Sequence, residues 1–344
     1  MRAAVPLCRD RNRYVSAPKT LESTKAGAIR QLGARDATLM ALRRQVLQAS
    51  SVPCCPRTPR PTPKDRMSID WFPGHMLAAR KEVTKTVGKV DVVIEILDAR
   101  VPGASCNPQV ESLRTKVGRP ALKVLNKADL ADPHRTRAWL DHYNALPGVK
   151  AVAISCKKPG EVVRIPDYCV PLAPNRGTVL KPLRMMILGI PNVGKSTLMN
   201  ALLKRAVVKA GNEPGLTKHQ TRHELNPRMT LIDTPGLLWP QMDPGVALKL
   251  AASHSIGRNA YADEEVAVHL GAYLLADYPA LLTQRYGAPL ADCDGHGLIA
   301  WVAQRRGLLI KGGEPDLERA AGALLDDYRT GALGRITLET PPPV

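Results

Sequence analysis

A single phenylalanine in 344 residues, with aromatics at 4% overall, leaves any core of this chain to aliphatic side chains; a hydrophobic content of 44% suffices for one. No apolar run approaches the about 18–20 residues of a helical membrane span, so no span is expected. The seven cysteines never form a C-x-x-C pair, which argues against a zinc site or a disulfide framework and fits a reducing cytoplasm. Acidic residues are the scarcer charge, 31 against 49 Lys and Arg, for a net charge of +18. That balance points to a polyanionic partner, nucleic acid above all.

Much of the excess sits in residues 1–66, which hold 14 Lys and Arg but only 4 Asp and Glu. The proline-rich run from Val52 to Pro63 cannot continue a helix and makes a poor strand; a helix is expected only around 37–48. Three readings compete: a basic arm touching RNA, an Arg-rich and acid-poor transit peptide, or a working protein that begins at Met67. The last is favoured, because the proline-rich junction ends abruptly at a Met beyond which strong motifs begin.

The rest of the chain is organised around Gly189-Ile190-Pro191-Asn192-Val193-Gly194-Lys195-Ser196. The apolar run Met185-Met186-Ile187-Leu188 precedes it and the helix-like run from Thr197 to Leu203 follows, the strand–loop–helix context of a phosphate-binding P-loop. Such a loop turns its backbone N–H groups toward a phosphate chain, and the helix N-terminus adds partial positive charge. Asn192, Val193, Gly194, Lys195, Ser196 and Thr197 are therefore the expected phosphate cradle. Lys195 would reach the β and γ oxygens, and the Ser196 hydroxyl would ligate Mg²⁺.

Two motifs upstream address the base. A β-rich run over 121–125 ends in Asn126-Lys127-Ala128-Asp129. The Asp129 carboxylate can accept two N–H bonds from guanine, whereas adenine has no donor at ring N1 and no 2-amino group. Asn126 would brace the loop and meet the base edge, and the Lys127 stem would cover its face. Alone this motif is no more than a polar turn; beside a P-loop it reads as guanine recognition. A further strand over 151–154 leads into Ser155-Cys156-Lys157, positioned to give a backbone N–H to guanine O6. GTP and GDP are the expected ligands. An ATP-driven motor is opposed by Asn126-Lys127-Ala128-Asp129.

Two motifs downstream address the γ-phosphate. Thr217 stands in the turn-rich stretch from Asn212 to Lys218, where a hydroxyl can ligate Mg²⁺. The strand over 229–232 ends in Asp233-Thr234-Pro235-Gly236, in which Asp233 would support the Mg²⁺ shell and the Gly236 N–H would bond the γ-phosphate. Leu237 follows where many GTPases carry a water-orienting Gln, and its side chain cannot hydrogen-bond. The missing group must come from elsewhere, or the chain is a GTP-dependent RNA-binding scaffold without turnover. His75, in Trp71-Phe72-Pro73-Gly74-His75-Met76, is either part of a packing plug or an imidazole presented to a neighbouring site. Asn192 could offer a carbonyl oxygen to K⁺ beside the phosphates, supplying charge where an arginine finger otherwise does.

The base motifs precede the phosphate motifs, the reverse of the ordinary order, so the domain is circularly permuted. This is compatible with an unchanged sheet because the termini of such domains lie at the surface. The expected fold is α/β: a permuted P-loop GTPase domain, its sheet mostly parallel with helices on both faces, followed by a small all-α domain. Helical spacing over 264–286, 297–307 and 316–329 supplies the latter, with Lys311-Gly312-Gly313 and the turn over 331–335 as basic turns facing RNA. The expected division is 1–66 as a basic extension, 67–255 as the nucleotide domain and 256–344 as the helical RNA- or ribosome-binding domain.

Taken together, Trp71-Phe72-Pro73-Gly74-His75-Met76, Asp98-Ala99-Arg100 with Asn107-Pro108, the stretches 126–129, 189–196 and 233–236, and Pro214-Gly215-Leu216-Thr217-Lys218 resemble the YlqF/RbgA family of ribosome biogenesis GTPases. The resemblance covers about residues 67–340. It implies GTP hydrolysis, slow unless the ribosome stimulates it, in late maturation of the large ribosomal subunit. The precursor of that subunit and its rRNA would be the partners, in a cytoplasmic, monomeric protein or a mitochondrial counterpart. It further implies His75 as a catalytic residue alongside Lys195, a hydrophobic residue at Leu237, and K⁺-stimulated turnover through Asn192.

Overall fold

The runs richest in branched aliphatic residues become the central strands. The computed structural model describes residues 74–203, 220–288 and 292–343. Helix α1 (Gly74–Val87) leads into β1 (Val92–Asp98), and two short helices follow, α2 (Pro102–Ser105) and α3 (Pro108–Lys116). Next come β2 (Ala121–Asn126), α4 (Pro133–Asn144), β3 (Val149–Ala153), α5 (Pro159–Val162) and α6 (Ile165–Cys169). Then β4 (Leu183–Leu188) precedes α7 (Lys195–Leu203), and β5 (Thr221–Asn226) precedes β6 (Met229–Asp233). The remaining helices are α8 (Pro244–Ala252), α9 (Asp263–Asp277), α10 (Pro279–Tyr286), α11 (Gly295–Arg306) and α12 (Leu317–Thr330).

The six strands form one sheet in the order β3-β2-β1-β4-β6-β5. All neighbours run parallel except β5, which closes the β6 edge antiparallel. All seven residues of β1 and all six of β2 are buried, as strands covered on both faces require. Alternate side chains serve the two faces. Val92, Ile94 and Ile96 point into a cluster shared with Met185 and Ile187 of β4 and Leu198 of α7. Val93 joins Val83 and Val87 of α1 and Val110 of α3 on the other face, while Leu97 meets Trp139 and Tyr143 of α4.

The first of these clusters continues without a break into the helices after the sheet, through Leu250, Leu270, Leu298 and Leu324. The segment read as one helical pattern over 264–286 is two helices, bent by 110° between α9 and α10. Pro279 causes the break: it has no N–H to donate and forces Tyr278 out of helical geometry, to φ −135. The strand β5 was not anticipated. Among the described residues no single helix is long and apolar enough to cross a membrane. The helix expected around 37–48 lies outside the described residues.

β1 and β4 are paired in the centre of the sheet, with Val92 opposite Met185 and Ile94 opposite Ile187. From this pair the chain winds outward in opposite directions, to β2 and β3 on one side and β6 on the other. Loops leaving the carboxyl ends of strands at such a reversal form the natural ligand crevice of an α/β sheet. Asp98, Asn126 and Asp233 end their strands at that edge, and the stretch 189–196 leaves β4 there.

Candidate nucleotide site

The P-loop leaves β4 at Gly189, whose φ of +151 and position against β1 suit no other residue: a Cβ there would stand 2.5 Å from the Ile96 carbonyl oxygen. Gly194 has φ +102, and a Cβ on it would come within 2.3 Å of the Asn126 side-chain nitrogen. The second glycine thus makes room for the base loop. Between them Asn192 adopts φ 58, and its side-chain amide donates to the His254 carbonyl at 2.8 Å, just beyond α8.

Lys195 is buried at the start of α7, and its ammonium donates to the Ile190 carbonyl at 2.7 Å. Burial lowers its pKa to about 8, partly countered by the charge of Asp233. Asp233 is buried too, and burial raises its pKa against the opposing charge of Lys195. Neither of its carboxylate oxygens has a hydrogen-bond partner among the described residues. A buried, unpartnered carboxylate beside a P-loop lysine is the donor chemistry that a hard divalent cation requires. Ser196 adjoins Lys195 in the first turn of α7.

The base loop is tied to the phosphate loop. Asn126 donates from its side-chain nitrogen to the Val193 carbonyl at 2.7 Å, and its side-chain oxygen accepts the Cys156 N–H at 3.0 Å. Bracing is thus its evident task. The Ser155-Cys156-Lys157 turn is expected to give a backbone N–H to guanine O6; the Cys156 N–H is engaged by Asn126 in this geometry. Ser155 is buried and its N–H donates to Glu161 at 2.8 Å. Burial pushes the Cys156 thiol up to about 12. Asp129 accepts a bond from the Lys157 ammonium at 3.1 Å. Burial would raise the pKa of Asp129, but the Ser155 hydroxyl and Lys157 outweigh it and hold the carboxyl below its usual range.

Lys127 adopts φ 61, and its ammonium donates to Asp98 at 2.8 Å. Asp98 is fully buried and also receives Arg100 in two side-chain bonds, at 3.0 and 2.8 Å. Arg100 donates onward to the carbonyls of Ser253 and Arg329, at 3.2 and 3.3 Å, and lies over the Tyr328 ring. Burial alone would raise the pKa of Asp98; Arg100 and Lys127 overcome it and hold the carboxyl far below the usual range. Asp98 and Arg100 therefore connect the base loop to α12.

Leu237 does not face the crevice. It is buried with Val83, Val87 and Leu188, its N–H donates to the Gly189 carbonyl at 3.2 Å, and its own carbonyl accepts the Asn107 side chain at 2.9 Å. Asn107 in turn donates its N–H to Glu95, which pairs with buried Lys123 at 2.5 Å. This network was missed, although the acid inside Val92-Val93-Ile94-Glu95-Ile96-Leu97 and the lysine inside Ala121-Leu122-Lys123-Val124-Leu125 were signals of a buried pair. Gly236 precedes Leu237 and lies against Pro191 of the P-loop. The crevice therefore brings together Asn126, Lys127, Asp129, Ser155, Cys156, the stretch 192–197, Asp233 and Gly236. Thr217 lies outside the described residues, and so does the side chain of His75.

A family model described as 50S ribosome-binding GTPase matches residues 184–278. The chain is similar to Ribosome biogenesis GTPase A of Priestia megaterium, 37% identical over 284 residues, covering 80% of this chain and 98% of that protein. The Bacillus cereus protein of the same name is 37% identical over 283 residues, 80% of this chain and 95% of the relative. Among solved structures, GNP-bound YlqF from T. maritima matches with a TM-score of 0.54 and 25% identity, covering 78% of this chain and all of that one.

Proposed function

The chain belongs to the Ribosome biogenesis GTPase A family, and on that footing we propose that it binds GTP in this crevice, hydrolyses it, and docks on the precursor of the large ribosomal subunit late in its maturation. The observation that carries the reading is the pair of hydrogen bonds by which Asn126 donates to the Val193 carbonyl of the P-loop and accepts the Cys156 N–H of the Ser155-Cys156-Lys157 turn, joining base and phosphate elements around one pocket. In that pocket Asp129 accepts the two guanine N–H groups, Lys127 covers the base, and Ser155 and Cys156 bound it. Val193, Gly194, Lys195, Ser196 and Thr197 wrap the phosphates, and Lys195 stabilises charge that builds on them during bond cleavage.

Ser196, Thr217 and Asp233 would hold Mg²⁺, which when bound neutralises the β and γ oxygens; Asp233 fits this role because its carboxylate is buried and unpartnered among the described residues. Asn192 would hold K⁺ through its side-chain oxygen, and its bond to His254 fixes the orientation of the amide. The Gly236 N–H senses the γ-phosphate. With Leu237 given over to packing, His75 is the proposed group that acts on the attacking water. Residues 67–255 serve nucleotide chemistry and 256–344 meet rRNA, in a monomeric, cytoplasmic protein.

Sucrose-gradient fractionation with GTP, GDP and a non-hydrolysable analogue tests the docking: co-migration with large subunits in the GTP-like state and release in the GDP state are expected. Turnover should rise when large subunits are added, and His75→Ala should lower it by about a hundredfold. Nucleotide-independent migration, together with no stimulation and no effect of His75→Ala, would sink the reading.

A further inference from the structure

The turn over 331–335, with its arginine, reads in the sequence as a basic surface for RNA. The structure gives Arg335 an internal task. Beyond α12 the chain runs along the outer side of the base loop. Arg335 donates from Nε to the Ala131 carbonyl and from Nη2 to the Ala128 carbonyl, both at 2.9 Å. The Ile336 N–H donates to the Leu130 carbonyl at 3.0 Å. The Thr337 hydroxyl accepts the Asp132 N–H and donates to the Ala99 carbonyl, both at 3.1 Å, and Thr337 is fully buried.

Three consecutive residues, some two hundred positions downstream, thus hold the backbone on both sides of Asp129. From the inner side the loop is held by the Ala128 N–H on the Ile154 carbonyl and the Leu130 N–H on the Lys127 carbonyl, at 3.0 and 2.9 Å. Lys127 sits in the left-handed region, which a non-glycine residue occupies only where its surroundings impose it. A carboxylate that takes two parallel N–H bonds depends on its angle as much as its distance. A displacement of about 1 Å in a positioning element is enough to lose such an alignment.

We propose that Arg335 and Thr337 are positioning residues for guanine recognition: they clamp the loop of Ala128, Ala131 and Asp132 so that the Asp129 carboxylate meets both guanine N–H groups at once. This rests on the reading of Asp129 as the base reader. Coupling between sites is reciprocal, so nucleotide bound at Asp129 also tightens the segment 335–337, and a partner that pulls Arg335 away loosens the nucleotide.

The test is the affinity of the full chain for GDP and for IDP, which lacks the 2-amino group. Arg335 is exposed, so its truncation leaves no internal void. Arg335→Ala is expected to weaken GDP binding about tenfold and IDP binding less, so that the preference for GDP shrinks. Arg335→Lys restores one donor and recovers part of that preference. Thr337→Ser keeps the preference, and Thr337→Val loses it. Hydrogen exchange over 335–338 should slow when GDP is added to the parent chain and respond less in Arg335→Ala. Should Arg335→Ala fail to fold, Arg335→Lys is judged by the same ratio. An unchanged GDP-to-IDP ratio in the Arg335 variants, or an equal loss for both nucleotides, overturns the proposal. Asp129→Asn separates the two layers. If it leaves GDP affinity intact, Asp129 is not the base reader and both readings fall. If it collapses the preference while the Arg335 and Thr337 variants keep it, only the clamp falls.

Discussion

Asn126 and Val193 are joined by a 2.7 Å bond from side-chain amide to backbone carbonyl, 67 residues apart in the chain. The same amide accepts the Cys156 N–H, so one side chain sets the spacing between the base loop and the phosphate loop. Asn126→Ala leaves a carbonyl and an N–H without partners in a buried setting, each costing about 1–3 kcal/mol. GDP affinity is expected to fall by at least about tenfold, with a lower Tm. Asn126→Asp should be no better, because a carboxylate cannot donate to Val193. Calorimetric titration of both variants checks this, and wild-type affinity in Asn126→Asp would contradict it.

Asp98 is the shared acceptor of Lys127 and Arg100, with no exposure to solvent. Asp98→Asn removes the charge that compensates a buried guanidinium, and a loss of about 3–5 kcal/mol is expected in denaturant unfolding. The pH dependence has a defined sign. The folded pKa is depressed, so the contribution of Asp98 is complete above the ordinary carboxylate range and disappears as pH falls through the folded value. Unfolding titrations between neutral and strongly acid pH should therefore converge for parent and variant only at the acid end.

Lys195 titrates near pH 8 because it is buried. A bound phosphate chain favours its ammonium form and raises that value, so binding takes up protons when the pH stands near or above 8. GDP affinity is expected to decline as pH rises through 8, and heats of binding measured in buffers of different ionisation enthalpy should report net proton uptake there. A pH-independent affinity between 7 and 9 would show that Lys195 stays charged in the free protein.

Leu237 occupies a packed cluster with both its N–H and its carbonyl bonded. Leu237→Gln places an amide among Val83, Val87 and Leu188, with an expected destabilisation of about 1–3 kcal/mol and no gain in GTP turnover. Thermal melts and phosphate-release assays on the same preparation decide this. A faster enzyme would mean that the side chain swings into the crevice.

The loops that carry the chemistry could be read from the chain because each is short, local and bounded by a strand. Gly189 to Ser196 and Asn126 to Asp129 needed only their flanking runs to be placed. Long-range pairing was harder to see. Nothing in the spacing of Arg335 from Ala128 shows that the two meet, and its charge suggested an external partner instead. Leu237 was understood as the absence of a glutamine, whereas its position in the fold is that of a core residue. All of the first four side chains of β5, Thr221 to Glu224, are polar or charged, and most of the strand is exposed. Its pairing with β6, rather than its own pattern, makes it a strand.

The adjacency of β1 and β4 also bears on how this protein comes into being. β1, β2 and β3 follow one another within residues 92–153, so the half of the sheet that carries the base loop can assemble from local βαβ units as the chain is synthesised. The phosphate loop emerges afterwards and must insert its strand beside one already built. The segment 335–337, which braces the earliest of these loops, emerges after all of them. Translation therefore delivers these loops in instalments, and in a nascent chain that has not yet exposed that segment the backbone of 128–132 lacks the bonds that Arg335, Ile336 and Thr337 give it.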